Sequence, residues 1–375
     1  YAPWYAYAGG MLALMTDSYR NGASLSGNSW GPSGTPQGYD SDTMQVDIGV
    51  RDADPEMPGN QSMSYVLSIM NGFGGYQTQG TPDEAKNILS VGSTRMQRYY
   101  DGIQLTEVND LSYNTAHGPA LDGRSIPHLV APGCFVDSAL KNDRYGLVCG
   151  TSMASPHVSG AVALFVEDYR VRTGLDPSPA LVKAAFLPMA HDLAGHLDAD
   201  GYVLGHRFDS KQGWGRLDVG PVLDPQVQVA YFDSLNVLGE TGQVWERELL
   251  VGDPRQPLHV MLVWTDAPGH GLGGDTPAWN NDLDLVVDDV GSSYLGNVFG
   301  PQGWSVKGGV ADRMNNTEGV FVRSPLSAAV RVRVVASNIN SDGVPGWGDD
   351  TDQDFALVCY NCRPTYTYYF PIIGR

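Results

Sequence analysis

The chain has 375 residues, enough for two buried cores, and 42% hydrophobic against 17% charged residues, with 46 Gly and 24 Pro; this suits a turn-rich globular protein and excludes a coiled coil or a disordered chain. A formal net charge of -19 with no basic run argues against a nucleic-acid partner, because phosphate backbones attract Lys and Arg. No stretch reaches the roughly 20 apolar residues that a membrane-spanning helix needs.

In chain order, residues 6–20 read as a helix, 64–70 as a strand and 87–93 as a second strand ending in a turn. Alternating helix and strand predict a mainly parallel sheet covered on both faces. Residues 153–173 give the strongest helix, with Val158, Ala161, Val162, Leu164 and Phe165 forming a broad apolar surface and Gly174 a stop. Beyond residue 228 the pattern changes to short β-type runs at 259–265, 284–288, 319–323, 328–336 and 354–360, which predict a β-sandwich. The expected organisation is therefore an α/β unit over 1–228, a β-sandwich over 229–360 and a Tyr-rich tail or linker over 361–375. Cys134 and Cys149 flank a segment that can fold back as a hairpin, and Cys359 and Cys362 form a C-x-x-C. Two local disulfides would use all four; free thiols for the first pair and a metal knuckle for the second are the alternatives.

Chemistry enters at Gly150-Thr151-Ser152-Met153-Ala154-Ser155-Pro156-His157-Val158-Ser159-Gly160, where a serine stands at the mouth of the long helix after a glycine turn. Unpaired N–H groups and the positive end of the helix dipole suit a developing oxyanion there, and Gly150 leaves room for a substrate backbone. The plainer reading is that Ser152 or Thr151 caps the helix.

This segment resembles the active-serine signature of the subtilase family (peptidase S8), G-T-S-M-A-x-P-x-V-x-G, over eleven consecutive positions. The resemblance implies that Ser152 is an acyl-forming nucleophile, with Gly150 and Thr151 beside the substrate. Asn28-Ser29-Trp30-Gly31 resembles the S-x-G strand that pairs with substrate, which implies binding roles for Ser29, Trp30 and Gly31. Ser68-Ile69-Met70-Asn71-Gly72 resembles the strand end whose Asn completes the oxyanion hole, although that family usually has A-G-N there; Asn71 as a simple turn residue is the alternative. Ala116-His117-Gly118-Pro119, Asp122-Gly123-Arg124, Val130-Ala131-Pro132-Gly133 and Gln212-Gly213-Trp214-Gly215 continue the likeness over about residues 10 to 222. His128 stands where the family usually has Asp. Val263-Trp264-Thr265-Asp266-Ala267-Pro268 and Asn280-Asn281-Asp282-Leu283-Asp284-Leu285 resemble the jelly-roll domain appended to one branch of secreted bacterial subtilases, which implies a secreted protein.

A serine hydroxyl needs a general base, and the base needs a carboxylate to hold it. The family's D-T/S-G and H-G-T-H motifs do not occur in this sequence. His117, His128, His157, His191, His196, His206, His259 and His270 offer no substitute; His157 lies five residues beyond Ser152 on the same helix, too rigidly placed to turn back onto Oγ. The expectation is that the chain begins about a third of the way into a catalytic domain. It predicts an endopeptidase acting on polypeptides, a monomer whose triad Asp and His lie upstream, or else an inactive relative that binds peptides or partners.

Asp282 and Asp284 alternate along a predicted strand and so share a face. With Asp266 they form a candidate structural calcium site, the alternative being solvated loop carboxylates. Asp198-Ala199-Asp200-Gly201 begins like a calcium loop but lacks the downstream acid.

Overall fold

The computed structural model describes residues 7–31, 36–348 and 351–365. Most of the expected tail, and Asp349 and Asp350, lie outside the described residues. In chain order the first half contains helix α1 (Gly10–Arg20), strand β1 (Leu25–Asn28), α2 (Ser41–Arg51), β2 (Ser64–Ser68), β3 (Leu89–Arg95), β4 (Arg98–Tyr100), β5 (Ile103–Thr106), β6 (Leu129–Leu140), β7 (Arg144–Cys149), α3 (Thr151–Thr173), α4 (Pro179–Phe186) and the short α5 (Gly220–Leu223). Strands β1, β2, β3 and β6 form a parallel sheet in that order, and β7 returns antiparallel from β6. The β4–β5 hairpin stands apart from it.

The side chains of β2 explain the layering. Successive residues point to opposite faces of a strand. Tyr65 and Leu67 pack with Met11 and Met15 of α1 and Val46 and Val50 of α2. Val66, between them, joins Val158, Val162 and Phe165 of α3. Both faces are covered, so every residue of β2 is buried, including Ser64 and Ser68 at its ends. Helix α3 starts at Thr151, two residues before the expected position, because Gly150 supplies the turn; it ends on Gly174, whose φ of 74° is the left-handed stop expected there.

The second half adds β8 (Val229–Leu238), β9 (Val244–Val251), β10 (Leu258–Val263), β11 (Asp282–Asp289), β12 (Ser292–Phe299), β13 (Ser305–Lys307), β14 (Thr317–Val322), β15 (Ala329–Asn338), β16 (Gln353–Tyr360) and β17 (Cys362–Pro364). They form two antiparallel sheets, ordered β14-β10-β16-β8 and β13-β12-β11-β15-β9-β17. Val260, Leu262, Leu357 and Cys359 of the first face Leu283, Leu285, Val332 and Val334 of the second across a shared core. The alternate residues Met261, Val263, Ala356 and Val358 point the other way, into the core around Leu181, Ala184 and Ala185 of α4. The two halves therefore share one hydrophobic layer.

Polar groups lock the same junction. Lys86 is 1% exposed and donates to Asp266 Oδ2 at 2.5 Å, to Ala267 O at 2.5 Å and to Ala278 O at 2.9 Å. Arg51 bridges to Asp354 and to Thr265 O. Cys134 and Cys149, neighbours across the β6–β7 hairpin, form a disulfide, and so do Cys359 and Cys362.

Candidate active site

The site forms where the mouth of α3 meets the ends of β1 and β2. Pro156 has no N–H to give to the carbonyl four residues back, which leaves Ser152 O free of its helical partner. The Ser29 hydroxyl donates to that carbonyl at 2.7 Å, and the Ser152 hydroxyl donates to Ser29 O at 3.3 Å. One turn on, Ser155 Oγ donates to Asn28 O at 2.7 Å. A proline that would otherwise weaken a helix thus fastens α3 to the end of β1. The approach is close: a Cβ on Gly27 would lie 2.6 Å from Ser159 Oγ.

Neither Ser152 nor Thr151 caps the helix. The capping position is Gly150, with no side-chain bond, and both hydroxyls point elsewhere. Gly150 N donates to Gly133 O at 2.9 Å, where a Cβ on Gly133 would meet Gly150 O at 2.6 Å and Ser93 Oγ at 2.4 Å. Bare backbone at 133 and 150 lets β6 and the serine turn touch.

Asn71 follows the end of β2, and its amide oxygen is held by three donors: Thr151 N at 3.0 Å, Thr151 Oγ1 at 3.3 Å and Asn114 Nδ2 at 3.4 Å. Asn114 is buried, and its own oxygen accepts from Ser112 Oγ at 2.7 Å. A Cβ at Gly150 would lie 3.5 Å from Nδ2 and 3.6 Å from Oδ1, so the whole amide borders the serine turn. The Ser152 N–H, in the first turn of α3, has no intrahelical acceptor. The Asn71 amide N–H and the Ser152 N–H are therefore the two donors left at the serine turn, groups suited to an oxyanion.

A family model described as the subtilase family matches residues 6–215. This chain belongs to the subtilase family. Pyrolysin of Pyrococcus furiosus is 25% identical over 235 residues, 54% of this subtilase and 16% of pyrolysin. The major intracellular serine protease of Bacillus subtilis is 39% identical over 120 residues, 28% of this chain and 37% of that protein. The chain thus spans well under half the length of these relatives. The solved structure of the prenylagaramide maturation protease PagA superposes with a TM-score of 0.41 at 19% identity, over 56% of this chain and 65% of that one.

The structure brings Ser29, Asn71, Gly150, Thr151 and Ser152 of the subtilase together, with Trp30 and Gly31 continuing from Ser29 toward Met70. No described histidine is hydrogen-bonded to Ser152. His157 turns back along its own helix to Met153 O at 2.8 Å. His117 faces Gly75 O, and burial pushes its pKa down. His128 accepts from Ser90 N and lies 3.1 Å from Lys183 Nζ; burial, then the charges of Lys183 and Arg124, hold it well below the usual range. His206 pairs with Asp192, His196 lies near Asp110, and His259 and His270 bond backbone carbonyls. His191 is tied through its backbone to Arg216.

The acidic set expected to bind calcium is not assembled as foreseen. Asp266 spends Oδ2 on Lys86 and on the Asn280 N–H, and Oδ1 on the Asn281 N–H, so it serves the junction between the halves. Asp282 and Asp284 do lie together on β11, and burial followed by the Asp284 charge pushes the Asp282 pKa up to about 7. Among the described residues no three His, Cys, Asp or Glu side chains are arranged to hold a metal ion. In the loop at Asp198, the ammonium of Lys211 pairs with that carboxylate in place of a cation, and Asp200 accepts from Gly75 N. No described helix is long and apolar enough to cross a membrane.

Three residues escaped the sequence reading. Asn114 lies 43 positions from Asn71 in a loop, with no motif to mark it. Lys86, buried at the junction with the second half, belongs to no motif either. Met70 was visible only as a departure from A-G-N.

Proposed function

We propose that this chain carries the nucleophile and oxyanion donor of a serine endopeptidase: Ser152 attacks the scissile carbonyl, and Asn71 Nδ2 with the Ser152 N–H receives the negative charge. The observation that carries this reading is the fixed amide of Asn71 beside the serine turn, whose oxygen is held by Thr151 and Asn114 so that its N–H is left for a ligand. A substrate running past Ser29, Trp30 and Gly31 would present its carbonyl between them. The general base and its orienting carboxylate are assigned to a segment other than the described histidine environments, because each of those histidines faces another partner. Two disulfides support an oxidising, extracellular setting. The W-T-D-A-P and N-N-D-L-D-L segments support an appended jelly-roll module. The test is hydrolysis of fluorescein-labelled casein by the full-length protein and by its Ser152→Ala variant. Loss of at least about 1,000-fold in turnover supports the nucleophile, since removing a triad serine is among the most damaging changes such enzymes suffer; equal rates would overturn it.

A second reading is a peptide-binding relative that does not cut, since no described histidine is hydrogen-bonded to Ser152. Binding of casein peptides with no turnover by the mature full-length protein would establish it.

A further inference from the structure

The space beside Ser152 indicates which peptides fit, provided the peptidase reading holds. An acyl group on Ser152 Oγ with its oxygen on Asn71 puts its own Cα about 1.5 Å beyond the carbonyl carbon. With the substrate running past Ser29 to Gly31 as proposed, the side chain of that residue falls in the gap between this segment, after β1, and Met70 and Asn71, after β2. These strands are hydrogen-bonded neighbours, with Asn28 opposite Leu67, so the gap is narrow.

Met70 already occupies it. Its φ of 71° is a left-handed conformation that favours glycine, yet it bears a long side chain. The thioether reaches across to β1: a Cβ on Gly31 would lie 1.7 Å from Met70 Cε and 2.6 Å from Sδ, with Thr81 O at 3.4 Å beyond. Met70 is only 7% exposed and packs in the cluster of Met11, Met15 and the half-buried Trp30. The methyl end of Met70 therefore rests on the bare backbone of Gly31, and the gap is closed from inside.

We propose that Met70 sets the specificity of this site by filling the pocket for the residue on the acyl side of the scissile bond, which restricts cleavage to sites after Gly, Ala or Ser. Leu or Phe would have to displace a buried thioether held on three sides. An unbranched Met can be trimmed without breaking a hydrogen bond, so the pocket is open to redesign.

The test uses the full-length protein and tetrapeptide p-nitroanilides that differ only in the last residue, Ala, Leu or Phe. The wild type is expected to favour Ala over Phe by at least about tenfold in kcat/KM, and Met70→Gly to raise the Phe-to-Ala ratio of kcat/KM by at least about tenfold. Met70→Leu, which keeps bulk but loses reach, should fall between. A wild type that cleaves Phe as well as Ala, or a Met70→Gly ratio unchanged from wild type, overturns the proposal while leaving the peptidase reading intact. If neither protein cleaves any substrate, the peptidase reading fails, and product peptides still decide the pocket. Titrated into Ser152→Ala with and without Met70→Gly, a peptide ending in Phe should bind at least about tenfold tighter to the double variant. Equal affinity for both would overturn the role given to Met70.

Discussion

Lys86→Met should destabilise the protein by about 3–5 kcal/mol, the usual loss when one partner of a buried ion pair is removed. An ammonium has three donors, and Lys86 spends them on Asp266 Oδ2, Ala267 O and Ala278 O. Asp266 is itself 1% exposed, and without Lys86 it keeps only the N–H groups of Asn280 and Asn281. Methionine fills the volume of the lysine stem but leaves a buried carboxylate unneutralised and Ala278 O without its donor, while Ala267 O keeps the Asn280 amide. Adding Asp266→Asn removes the charge and should recover part of the loss, which separates the ionic contribution from packing. Equilibrium unfolding in urea of wild type, both single variants and the double variant gives the four free energies required. A Lys86→Met loss below about 1 kcal/mol would refute the claim that this pair locks the two halves together.

Asn71→Ala should lower turnover by about 100- to 1,000-fold with little change in KM, a magnitude that itself derives from a subtilisin donor. Asn114→Ala, which removes only the longest of the three bonds to Asn71 Oδ1, should cost about tenfold or less; a larger loss for Asn114 than for Asn71 would contradict the assigned roles. His259 packs on Phe321 with Nδ1 donating to Pro188 O, and burial, reinforced by Arg207, pushes its pKa down to about 3. The unfolded chain takes up this proton near the ordinary value of 6.5, so the stability it contributes is complete above that pH and is lost as pH falls toward 3, by up to about 1.4 kcal/mol per pH unit. His259→Gln should flatten that acid limb in thermal unfolding between pH 6 and 4, and an unchanged slope would assign the acid sensitivity elsewhere.

Elements with strong local patterns were legible. The helix expected at 153–173 is Thr151–Thr173, and the strand expected at 354–360 is Gln353–Tyr360. Strand β9, by contrast, reads V-W-E-R-E-L-L-V, and its exposed charges hide it between two sheet neighbours. The site was legible where one continuous motif carries it, at Gly150 to Ser152, and less so where distant loops converge. Asn114 reaches Asn71 only through the path of the chain after β3, and no period or spacing encodes that meeting. The acidic triplet is a related case. Spacing along β11 correctly placed Asp282 and Asp284 on one face, but only tertiary structure shows that Lys86, 180 positions away, has claimed Asp266.

The most direct test of the central claim is covalent labelling of the folded full-length protein with a fluorophosphonate, followed by peptide mapping. The account predicts a single modified site at Ser152, absent in Ser152→Ala and formed more slowly in Asn71→Ala. A folded, mature protein that takes up no label, or takes it at another serine, would contradict it.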